Sequence, residues 1–139
     1  MNIRNLNTPS LLLDQNALEA NIKNMDLKIK NAAYDLRPHL KTAKSVKIAK
    51  MATKNHSGAI TVSTLKEAEY FYKNGYTDIL LAVCMVAPKL KNLILQKPEL
   101  SKSLIFISDS YDSLVECREI AEEHKIQLKF LIEIDCGDK

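Results

Sequence analysis

Six short apolar runs punctuate the chain, near Ser10–Leu13, Tyr34–Leu36, Ala59–Ser63, Asp78–Val83, Leu104–Ser108 and Lys129–Ile134. Runs such as Ile79-Leu80-Leu81-Ala82-Val83 lack polar alternation, the pattern of strands covered on both faces in a parallel sheet. Between them the apolar positions recur at helical steps. Leu18, Ile22, Met25 and Ile29 mark a first helix, with Asn16 and Glu19 as its capping pair. A second begins after Ser45 and carries Val46, Ile48, Ala49, Met51 and Ala52 on its pattern. The third opens on Thr64-Leu65-Lys66-Glu67, a capping-box sequence, and stops at Gly75. A fourth runs from about Pro88 to Leu95, with the proline in its first turn. The fifth places Leu114, Cys117, Ile120 and Ala121 on one face and most of its glutamates on the others.

Alternation of strand and helix predicts an α/β fold with a parallel sheet and right-handed crossovers. The repeat is about 25 residues per unit, compatible with a (β/α)8 TIM barrel of roughly 250 residues. A doubly wound open sheet has the same periods, so the pattern alone leaves both architectures open. No Gly/Ser/Pro-rich linker divides the sequence, and residues 1–139 are expected to be one domain. Six strands are too few to close a barrel of eight. The first and last strands would carry unpaired edges, leaving an open sheet, a covering assembly, or a fragment unstable alone.

Composition changes this picture little. At 46% hydrophobic and 27% charged residues, the 139-residue chain has the make-up of a soluble α/β protein. The net charge of +3 is spread along the sequence, which argues against a nucleic-acid partner. The lysines of the 23–30 segment fit a solvated helix face. No apolar stretch is long enough to cross a bilayer, and Met1–Ser10 has no signal-peptide pattern. Cys84, Cys117 and Cys136 are odd in number and far apart, as expected in a reducing cytoplasm. Neither the cysteines nor His39, His56 and His124 have metal-ligand spacing, so no metal site is expected within the chain.

The candidate chemistry lies in Arg37-Pro38-His39-Leu40-Lys41-Thr42, between a predicted strand and a predicted helix. A lysine there can project from the C-terminal end of a parallel strand, where α/β folds gather their reactive groups. Pro38 favours an extended Arg37, and period-two alternation would then put Arg37, His39 and Lys41 on one face. The alternative for Lys41 is solvated surface. Removing Arg4, Arg37 and Arg118 from the 20 basic residues leaves 17 lysines, nearly all of which must be solvated.

This run resembles the pyridoxal-phosphate (PLP) lysine motif of the D-threonine aldolase and D-serine dehydratase family, whose members have an alanine-racemase-type barrel. The resemblance extends from Thr8-Pro9-Ser10-Leu11-Leu12-Leu13-Asp14 to Glu133-Ile134-Asp135-Cys136-Gly137. It covers nearly all of this chain and well under half of a typical member. It implies a partial barrel of about six βα units, without the family's C-terminal β domain and the metal ligands that domain carries. It further implies that Lys41 is the catalytic Schiff-base lysine, and that His39 and Arg37 bind the cofactor beside it. Cations at Arg37, His39 and Lys44 would favour the neutral amine that imine formation needs. Structural alternatives stand beside two of these roles: a satisfied histidine for His39 and an ion pair for Arg37. Cys136 would either line the mouth of the sixth strand or be a buried small apolar residue.

Two departures bear on activity. Many members have a histidine where this chain has Ala43, and an arginine facing the cofactor ring soon after the position at which this chain reaches Lys139. The phosphate-holding loops of the later barrel also lie outside the resemblance. The implied function is a PLP-dependent lyase acting on a small D-amino acid, by D-threonine-type aldol cleavage or D-serine-type dehydration. The alternatives are a truncated, non-catalytic remnant of such an enzyme and a PLP-binding carrier. Self-association through the open barrel edges is expected in each case.

Overall fold

The computed structural model describes residues 3–137, which divide into two compact units, Met1–Tyr34 and Asp35–Lys139. The first unit contains a short 3-10 turn at Ile3–Asn5 and helix α1, Gln15–Ala32. Asp14 caps α1, its Oδ1 accepting the Ala17 N–H at 3.0 Å. This differs from the expected Asn16/Glu19 pair. Asp14 sits two residues earlier with an extended backbone, as an N-cap requires, while Glu19 accepts a hydrogen bond from Gln15. Residues 10–13 pair with no strand, contrary to the expectation of a first β-strand, and Leu11, Leu12 and Leu13 are exposed. An apolar run without alternation specifies no partner by itself.

The second unit is built on a four-stranded, all-parallel sheet: β1 Ile60–Val62, β2 Ile79–Cys84, β3 Leu104–Ser108 and β4 Lys129–Ile132. The helices are α2 Val46–Ala52, α3 Leu65–Lys73, α4 Ala87–Gln96, α5 Pro98–Lys102 and α6 Tyr111–Glu123. Strand order is β1-β2-β3-β4, without reversal. A doubly wound sheet reverses its order at a switch point, whereas a barrel wall adds each strand beside the last. The sheet is therefore part of a barrel wall.

Register explains the core. Ile60, Ile79 and Leu104 stand side by side, followed by Val62, Leu81 and Phe106 two residues on. All six are buried with Ala68 and Phe71 of α3, Leu90 and Ile94 of α4, Leu100 of α5 and Cys117 of α6. One sheet face is thus sealed by helices.

The strand expected at Tyr34–Leu36 lies later and is a single bridge. His39 pairs in parallel with Thr61: the Thr61 N–H donates to the Pro38 carbonyl and the Leu40 N–H to the Thr61 carbonyl, each at 2.9 Å. Pro38 has no N–H to donate, so the ladder uses only its carbonyl and stops there. Tyr34 is exposed, and the Asp35 carboxylate instead accepts the Ser57 N–H. Among the described residues, four strands and one bridge replace the six expected strands.

Candidate functional site

Parallel strands bring their C-terminal ends to one edge of the sheet, where Ser63, Cys84, Asp109 and Glu133 follow or end β1 to β4. The bridge at His39 delivers the chain to the same edge. Immediately after buried Leu40 it turns through residues 41–43, and the Lys44 N–H closes the turn on the Leu40 carbonyl at 2.9 Å. Lys44 is left-handed, with φ 44°, a conformation that costs a residue with a Cβ and persists only when neighbouring contacts enforce it. Lys41 lies at the start of this turn and is exposed. Its Nζ has no hydrogen-bond or ion-pair partner among the described residues.

His39 is held through both ring nitrogens. Nδ1 accepts the Lys41 main-chain N–H at 3.2 Å, which places the proton on Nε2, 3.3 Å from Ser63 Oγ. Partial burial and then the Lys41 charge push the His39 pKa below 6.5, against the Glu67 carboxylate, which raises it. The imidazole is neutral in this arrangement.

Glu67 is the buried carboxylate of this edge, its side chain 10% exposed. Its main-chain N–H donates to Thr64 Oγ1 at 3.1 Å, as in the expected capping box. The return bond goes one residue further back: Oε2 accepts the Ser63 N–H at 2.9 Å. Oε1 lies 3.0 Å from Lys44 Nζ. Burial pushes the Glu67 pKa up, but the Ser63 N–H and the Lys44 ammonium outweigh it and hold the group below 4.5.

Arg37 is placed elsewhere. Its guanidinium reaches the Ile60 and Asp78 carbonyls and forms an ion pair with Asp78 Oδ1 at 2.7 Å. Ile60 begins β1 and Asp78 precedes β2, so this contact lies at the N-terminal end of the sheet. The structure brings His39 and Lys41 together and leaves Arg37 at the opposite end, because the extended run carries Arg37 roughly 13 Å back from Lys41. The shared face expected for all three stops at His39, where the chain leaves the ladder.

Across the same C-terminal edge, the Cys84 thiol donates to Glu133 Oε2 at 3.3 Å. Burial, then Glu133 and Asp109, push its pKa up to about 11. Cys136 is exposed and not a buried apolar residue; its thiol lies 3.7 Å from the Ile134 carbonyl. Ser63, Glu67, Cys84 and Asp109 were not expected at the site. The available signal was position: Ser63, Cys84 and Asp109 stand at or just after the end of a strand, and Glu67 lies in the first turn of α3. Among the described residues, no group of three or more His, Cys, Asp or Glu could hold a metal ion, and no helix is long and apolar enough to cross a membrane.

The sequence profile described as alanine racemase, N-terminal domain, covers residues 13–139. The chain belongs to that family. D-threo-3-hydroxyaspartate dehydratase of Delftia sp. (strain HT23) is 37% identical over 130 residues, 94% of this chain and 34% of that protein. D-serine dehydratase of Dictyostelium discoideum is 28% identical over 147 residues, 97% of this chain and 36% of that protein. The solved Delftia dehydratase superposes with a TM-score of 0.87 and 35% identity, over 94% of this chain and 34% of that one. D-threonine aldolase from Filomicrobium marinum superposes with a TM-score of 0.82 and 25% identity. The chain spans about a third of the length of the curated relatives it matches.

Proposed function

We propose that this chain supplies the cofactor-anchoring wall of a PLP-dependent lyase acting on a β-hydroxy D-amino acid, with Lys41 as the anchoring amine. The observation that carries the reading is the Lys41 Nζ, unpaired among the described residues, at the C-terminal edge of an alanine-racemase-type wall. The substrate class is supported by the relatives' names: D-threo-3-hydroxyaspartate, D-serine and D-threonine all carry a hydroxyl on the β-carbon.

The residues present fit the group. An aldehyde needs an amine that is reachable and not committed to a carboxylate, and Lys41 meets both requirements. Bound there, PLP would supply the electron sink that weakens bonds to the substrate α-carbon. The chain's own contribution is placement. His39 holds the Lys41 main chain through Nδ1 and is itself held by Ser63, so the turn has one geometry. With both nitrogens engaged, His39 acts here as a positioning residue. Arg37 stabilises the far end of the sheet through Asp78.

A second reading is favoured by length. Because the chain spans about a third of its relatives, we propose that the 139 residues alone anchor PLP weakly and turn over negligibly. The test is a PLP titration with absorbance detection, combined with assays for pyruvate from D-serine and glycine from D-threonine. Saturable absorbance lost in Lys41→Ala, with no measurable product, is the expected result. Equal absorbance in Lys41→Ala would overturn the anchor. Lys41-dependent product release at enzymatic rates would overturn the second reading and make the chain an enzyme in its own right.

A further inference from the structure

The turn that carries Lys41 also carries Lys44, a second amine three residues away. An aldehyde reaching this edge meets both, and only one position can be productive. The structure distinguishes them. Lys44 Nζ lies 3.0 Å from Glu67 Oε1, whereas Lys41 Nζ has no such partner among the described residues. Glu67 is fixed at its other oxygen by the Ser63 N–H at 2.9 Å, and Ser63 Oγ in turn meets His39. The backbone at Lys44 is left-handed and closed on the Leu40 carbonyl, which fixes the residue that meets Glu67. One buried carboxylate therefore ties together the far end of the turn, the start of α3 and the residue that holds His39.

We propose that Glu67 is a positioning residue that holds the Lys44 Nζ in an ion pair and so leaves Lys41 as the amine of the turn that can reach an aldehyde. The inference rests on the reading of Lys41 as the cofactor anchor. Its chemistry is simple: an amine held against a buried carboxylate must break that contact before its nitrogen can reach a carbonyl carbon. Lys41 has no such contact to break among the described residues.

Trace acetylation of the purified chain with isotopic acetic anhydride tests this without cofactor, the other lysines serving as internal standards. In the wild type, Lys41 should be acetylated faster than Lys44. Glu67→Gln keeps an oxygen for the Ser63 N–H and removes the charge; it should raise Lys44 reactivity roughly three- to fivefold and leave Lys41 unchanged. Glu67→Asp, which restores the charge, should recover part of the protection. If Glu67→Gln fails to fold, the wild type at 1 M salt decides instead: screening should raise Lys44 relative to Lys41. An unchanged Lys44-to-Lys41 ratio in the folded variant, or a flat salt response, would overturn the proposal. Equal wild-type rates would overturn it too.

PLP with borohydride separates this inference from the reading beneath it. Adducts confined to Lys41 in the wild type and shared with Lys44 in Glu67→Gln support both. No wild-type adduct at Lys41, with the acetylation shift intact, would sink the anchor while leaving Glu67 as the residue that restrains Lys44.

Discussion

His39 has both ring nitrogens engaged, and the two contacts can be removed one at a time. Asparagine places an oxygen near the position of Nδ1, and glutamine places an amide near that of Nε2. His39→Asn should therefore retain the Lys41 turn better than His39→Gln, read as a smaller loss of PLP adduct at Lys41. The imidazole also leaves a pH signature. Its folded pKa lies below 6.5, so between the two values the unfolded chain binds more protons and stability rises with pH. The contribution is fully present above about pH 6.5 and is lost as pH falls through the folded value. Urea unfolding from pH 7 down to 5 should show a steeper loss for the wild type than for His39→Asn; parallel curves would contradict the assignment. The cysteines give a second residue-level prediction. With its pKa raised to about 11 by burial and two carboxylates, Cys84 should resist iodoacetamide at pH 8 while exposed Cys136 is modified. The six-residue run marked Lys41 as the candidate in the sequence. Cys84 and Asp109 carried no such mark, because register between strands far apart in sequence brings them to this edge, and Glu67 was marked only as a capping residue.

At the scale of the element, capping chemistry made the helices readable. Ser45 and Thr64 stand as N-caps, with side-chain oxygens facing the N–H groups of Ile48 and Glu67, where a hydroxyl before an apolar period predicts them. Thr64→Ala should cost about 1 kcal/mol in denaturant unfolding and Thr64→Ser far less. A loss under a few tenths would mean that Glu67 alone starts α3. Helix α3 ends where Gly75 takes φ +91°, with open space around a would-be Cβ. Gly75→Ala should therefore destabilise by about 1–2 kcal/mol through backbone strain alone. The five-residue helix α5 was not legible, since Pro98 reads equally as the end of α4 and the start of something new. The early strands failed for a related reason. Hydrophobicity marked Tyr34–Leu36, but pairing is decided by which carbonyls and N–H groups can meet Thr61, and those belong to Pro38 and Leu40.

Across the whole molecule, strand and helix periods predicted an α/β fold, and strand order identified it as a barrel wall. Periodicity carries no information on order, because every βα unit has the same local pattern; the family resemblance supplied that link. The outer edge of β4 has no strand partner among the described residues, and Leu131 and Ile132 are exposed at 51% and 73%. An edge of this kind templates pairing with another chain. The purified chain should self-associate, and Ile132→Lys should shift it toward monomer in gel filtration; a monodisperse wild-type monomer would contradict this. The most direct test of the central claim is peptide mapping after PLP and borohydride treatment of the wild-type chain. Saturable labelling confined to Lys41 is the predicted result, and slow, non-saturating labelling spread over the lysines would show that this edge holds no cofactor.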